Sequence, residues 1–137
     1  MTPETGYFLD KARKALREAD AVLAINLYDV AGRMAYLAGF HAAQAFISEK
    51  TNRSVKTHKG VRVELHRLTK GDAAFTPGLR AFLAENYNLK TIADYETGPG
   101  AEISPERARA ALEQAKRFVA YFETVLGVST RDDDATD

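Results

Sequence analysis

The residues able to do chemistry crowd into the middle of this 137-residue chain. Its three histidines are His41, His58 and His66. His41 falls in line with Met34, Leu37, Ala38 and Ala45. That position reads as a buried imidazole bonded to a neighbouring helix. His58 and His66 are not at i, i+4 spacing, cysteine is absent and no acid pair stands beside them, so neither a metal site nor a cofactor is expected. Between Lys50 and Lys70 lie Lys50, Arg53, Lys56, Lys59, Arg62, Arg67 and Lys70 against a single acid, Glu64. Local charge of this kind can hold phosphates on a chain whose total charge is neutral, although a solvated loop and helix face is the plainer alternative. Its sharpest part is Lys56-Thr57-His58-Lys59-Gly60. This run sets a hydroxyl, an imidazole and two ammonium groups at a helix start, where backbone N–H groups are unpaired and the dipole is positive. No glycine-rich phosphate loop of the P-loop or dinucleotide type occurs.

The bulk numbers narrow the class. Hydrophobic residues make up 45% and charged residues 28%, so a folded core is expected. Formal net charge is zero, which argues against a global field for nucleic acid or membrane. No apolar run approaches the roughly 20 residues of a membrane helix, and Met1-Thr2-Pro3-Glu4 does not resemble a signal peptide. Without cysteines the chain suits a reducing compartment, so the cytoplasm of a prokaryote is the expected location.

The elements that must position the basic segment all read as helices. Thr2-Pro3-Glu4, Thr76-Pro77 and Ser104-Pro105-Glu106 repeat one start signal, an N-cap hydroxyl followed by proline at the first helical position. Phe8, Ala12, Ala15, Leu16, Ala19, Val22 and Leu23 form the stripe of a first helix. Asn26 or Asp29 marks a new start. The second helix, about 27–50, is apolar on several faces and rich in Ala and Gly, which predicts a central element closely approached by its neighbours. A third helix is expected from about Gly60 to Thr69, ended by Lys70-Gly71-Asp72. A fourth carries Leu79, Phe82, Leu83 and Tyr87 and stops around 93–95, before Thr97-Gly98-Pro99-Gly100. A fifth carries Ala108, Ala111, Leu112, Ala115, Phe118, Val119, Phe122 and Leu126 up to Gly127. These signals predict an all-α, up-and-down antiparallel bundle of about five helices: one domain over 1–128, then an acidic tail over 129–137 expected to be disordered.

The order of three segments resembles one known family. Arg33-Met34-Ala35-Tyr36-Leu37-Ala38-Gly39-Phe40-His41-Ala42-Ala43-Gln44-Ala45 is similar to the R-x-Y-Y-A-x-F-H-A-A-x-A-L helix of HEPN domains. Lys56-Thr57-His58-Lys59-Gly60-Val61 resembles the K-T-H-x-G-V turn that follows it, and Leu89-Lys90-Thr91-Ile92-Ala93-Asp94-Tyr95 resembles the L-R-x-x-A-D-Y end of the fourth helix. The likeness spans about Phe8 to Leu126 and is greatest with the short, stand-alone prokaryotic branch. It implies a four- or five-helix bundle that pairs into a homodimer. It also implies either a metal-independent RNase of a toxin–antitoxin or defence system, or a non-catalytic partner of a small nucleotidyltransferase.

The RNase signature of that family is R-x(4–6)-H near the end of the fourth helix. Here Lys90 stands where its arginine would be, and its histidine position falls on Asp94 or Tyr95. Lysine keeps the charge but loses the bidentate fork, and tyrosine, with an ordinary pKa near 10, is a poor base at neutral pH. Arg53 to His58 satisfies R-x(4)-H literally, but it lies in the loop between the second and third helices. The expectation is a non-catalytic or degenerate module binding nucleotide, RNA or a nucleotidyltransferase, with Arg33, His41, Lys56, Thr57, His58 and Lys59 as ligand-binding residues. The alternative is an active RNase toxin drawing a variant site from Lys90, Asp94, Tyr95, His58 and His41. A purely structural reading would give Tyr28, Tyr36 and Phe40 to an interface.

Overall fold

A computed structural model describes residues 1–128 and shows five helices: α1 (Pro3–Ala24), α2 (Tyr28–Thr51), α3 (His58–Thr69), α4 (Pro77–Tyr95) and α5 (Pro105–Val125). No strand occurs among the described residues. The acidic tail expected over 129–137 lies outside them.

The three proline starts work as the sequence predicts. Thr2, Thr76 and Ser104 each sit in extended backbone and accept a hydrogen bond from Thr5, Leu79 and Arg107 N–H, with proline directly after the cap. Thr57 does the same for α3 through Gly60 N–H, so α3 begins at His58 rather than about Gly60. The start of α2 is different. Asn26 adopts a left-handed φ of 65°, and the N-cap is Leu27, which has no side-chain oxygen to offer. Asp29 is no cap; its carboxylate accepts the Ile103 N–H at 2.8 Å and ties the α4–α5 connection to α2.

The hydrophobic pattern explains the rest. α2 touches all four other helices. Its Ala31, Ala35, Ala38, Ala42, Ala43 and Ala45 are fully buried, so their short side chains let neighbouring backbones come close. At Gly39 the approach is closest: the Phe82 ring of α4 fills the space a Cβ would take. Phe46, Phe75, Phe82, Phe118 and Phe122 form the aromatic centre between α2, α4 and α5. Tyr36 is 2% exposed and Phe40 9%, so both belong to the core and not to an outer interface. Val30, placed by periodicity among the inward residues of α2, is 43% exposed.

Candidate nucleotide-binding cleft

Three elements converge beside the first turn of α3. The Thr51–Thr57 connection is held down by Gln44 of α2, whose amide donates to the Val55 carbonyl at 2.8 Å. Gln44 Oε1 in turn bonds His41 Nδ1 at 2.8 Å. The place of His41 on the apolar stripe predicts a bond to a neighbouring helix; it bonds within its own helix instead. It buttresses the loop from behind and lies outside the cleft, and burial lowers its pKa. Gly60 completes the loop. A Cβ there would lie 2.7 Å from Thr57 Oγ1 and 2.8 Å from Val55 Cγ1, so a larger residue would displace the cap.

Held this way, Lys56, Thr57 and His58 form one wall of a cleft of about 330 Å³, with Tyr36, Leu37 and Phe40 of α2 and Tyr87 and Lys90 of α4 as the others. The His58 ring stacks on Tyr87 at 3.8 Å between centroids and 21° between planes. Its Nδ1 lies 2.6 Å from the Tyr36 hydroxyl. Burial first, then the neighbouring Tyr87, raises the Tyr36 pKa, against a smaller opposing pull from Arg62, so the hydroxyl keeps its proton. Burial and then the Arg62 charge lower the His58 pKa, which favours the neutral imidazole. The hydroxyl makes no other hydrogen bond among the described residues. We therefore assign it as the donor, which leaves the His58 proton on Nε2.

Along α4, Asp94 gives one oxygen to each of two cations, Arg33 Nε of α2 at 2.7 Å and Lys90 Nζ at 3.1 Å. Partial desolvation pushes its carboxyl up, but the hydrogen bond from Lys90 and the charges of Arg33 and Lys90 hold it below the usual carboxylate range. Lys90 also sits 5.4 Å from the centre of the Tyr95 ring, which is 73% exposed at the end of the helix.

The fold therefore brings Lys56, Thr57, His58 and Lys90 together and links Arg33 to them through Asp94. Lys59 faces away, into the groove between α3 and α4. The literal Arg53–His58 motif does not pair: the Arg53 guanidinium is 3.0 Å from Glu64, while His58 is committed to Tyr36. Tyr36 and Tyr87 are the cleft residues that periodicity hid, since both stand on apolar stripes and read as packing. Among the described residues no three His, Asp or Glu side chains group as metal ligands would.

The model of the HEPN domain matches residues 5–125, nearly the whole described chain. The chain belongs to the HEPN domain family. Comparison with curated proteins finds no match. In this HEPN domain the α2 motif, the Lys-Thr-His-Lys-Gly turn and the end of α4, which are separate in sequence, are parts of one surface. No described helix is long and apolar enough to cross a membrane.

Proposed function

We propose that this HEPN domain is a non-catalytic binding module for a nucleotide or RNA, with the Lys56–His58–Tyr87–Lys90 cleft as its site. The observation that carries this reading is the stacked His58–Tyr87 pair flanked by two ammonium groups at the capped start of α3. Stacked rings present a face to a base, and flanking cations take its phosphate. The same geometry is poor for hydrolysis. With the Tyr36 hydroxyl assigned as donor, it engages the basic nitrogen of His58, and both Asp94 oxygens are held by cations. General acid–base catalysis needs a group free to accept a proton at working pH.

HEPN domains commonly pair, and we read this one as a homodimer working beside a small nucleotidyltransferase or within a toxin–antitoxin or defence system, in the cytoplasm. Light scattering on the purified 15.1 kDa chain should give twice that mass. Binding is tested by fluorescence anisotropy with a labelled oligoribonucleotide. Tyr87→Ala is expected to weaken it by roughly 5- to 150-fold, the worth of one base–aromatic stack of about 1–3 kcal/mol. RNA should stay intact through long incubation. Cleavage of RNA by the pure protein, abolished by Lys90→Ala, would overturn the non-catalytic reading in favour of a variant RNase.

A further inference from the structure

The groove between α3 and α4 opens beyond the cleft into a pocket of about 410 Å³ that the cleft does not use. Lys59, Arg62, His66 and Arg80 stand around it, over a floor that includes the buried Leu65, Phe75 and Leu83. Asp72 offsets part of the Arg80 charge, while Lys59 and Arg62 have no acid paired with them among the described residues. Glu64, the acid of α3, is engaged on another side of that helix by Arg53 at 3.0 Å and Arg67 at 2.9 Å. Asp72 attracts Arg80 through space and is itself bonded to the Tyr121 hydroxyl and the Ala74 N–H. Lys59, Arg62 and His66 make no ion pair among the described residues.

Arg80 is a fixed anchor. Its guanidinium donates to the Thr69 carbonyl at 2.8 Å, the Thr69 hydroxyl at 3.2 Å and the Asp72 carbonyl at 3.3 Å, and lies 5.0 Å from the centre of the Phe75 ring. A guanidinium carries more N–H groups than these bonds use, so donors remain in a fixed orientation at no further entropic cost. Charged rims over apolar floors suit a ligand with an anionic backbone and a flat apolar body.

Position gives the pocket its meaning. α3 and α4 run antiparallel, so His58 faces Tyr87 at one end of the groove while His66 shares the other with Arg80 and Leu83. The pocket is lined along α3 from Lys59 to His66, so it begins one residue beyond His58 and reaches about 10 Å further along the helix. Lys59 lines its near end and Arg62 stands about one turn further on. We infer that this pocket is a second subsite, taking the next phosphate and base of a single-stranded oligonucleotide laid along α3. This rests on the reading of the cleft as a nucleotide site. It makes the ligand a strand and not a single nucleotide.

The test uses the full chain and three probes: AMP, a dinucleotide and a hexanucleotide of oligoadenylate. Affinity is expected to rise about tenfold or more from AMP to the hexamer. Val63→Glu and His66→Glu place a repelling carboxylate in the pocket at exposed positions where folding is not at stake. Each should remove that gain and leave AMP binding unchanged. The slope of log affinity against log salt for the hexamer should fall by about 0.7 for each phosphate that the variant no longer neutralises. A hexamer bound no more tightly than AMP, or a His66→Glu protein that loses AMP equally, overturns the second subsite while the cleft stands. Failure of all three probes to bind overturns the cleft reading, and the subsite with it.

Discussion

The Tyr36 hydroxyl lies 2.6 Å from Nδ1 of His58, joining the most buried tyrosine of α2 to the first residue of α3. This hydrogen bond fixes the tautomer of His58 and the tilt of its ring on Tyr87. Tyr36→Phe keeps the ring and removes the donor. Because the bond stabilises the neutral imidazole, its removal should raise the His58 pKa. Stability should fall by about 1 kcal/mol, the usual worth of one such bond. Histidine titration by NMR and chemical denaturation read the two effects; an unmoved His58 would show that the imidazole, not the hydroxyl, is the donor.

His41 and His58 both have pKa values lowered below the ordinary histidine range, chiefly by burial. The unfolded chain therefore binds more protons than the folded one as pH falls through about 6.5. The sign follows: stability is complete above that pH and declines below it, levelling off only under the folded pKa values. Melting temperature should drop between neutral and mildly acid buffer, and His41→Gln should flatten the drop. The lowered carboxylates, Asp94 and Glu64 among them, act in the same direction but only below about pH 4.5.

Asp94 holds Arg33 and Lys90 against the cleft while cancelling part of their charge. Asp94→Asn should tighten binding of an anionic strand by up to about fivefold, within the range of exposed ion pairs. Lys90→Ala should weaken it and lower the salt slope by about 0.7. Anisotropy across a salt series separates the two. Equal weakening in both variants would mean that the ion pair only shapes the end of α4.

Two glycines should respond to alanine in opposite ways. At Gly39 a methyl group meets the Phe82 ring, so Gly39→Ala should cost about 1–3 kcal/mol through overpacking. At Gly6, within α1, nothing lies within 4 Å of the added Cβ, so Gly6→Ala should stabilise by about 0.5–1 kcal/mol through backbone entropy. Urea denaturation of both variants gives the comparison.

The helix starts at Thr2, Thr76 and Ser104 are legible in the sequence because cap and proline are neighbours in the chain. The start of α2 is not, because it depends on a left-handed Asn26 and on a carboxylate spent 74 residues away on Ile103. The site divides in the same manner. Lys56-Thr57-His58 announces its chemistry in sequence. That Tyr36 and Tyr87 complete it depends on how three helices meet, and both residues carry the periodicity of ordinary core. His41 sits on the stripe where a buried imidazole belongs, but periodicity cannot say that its partner is Gln44, one turn on.

Phe82 occupies the space beside Gly39, and Tyr36 and Tyr87 lie about one turn away along the same pair of helices. The width of the cleft is therefore gauged by a missing methyl group outside it. On the proposed reading of the cleft as a nucleotide site, the size of the residue at this one point should forecast across relatives how broad a base the cleft takes, so that preference could be sorted from sequence at a position outside the cleft lining.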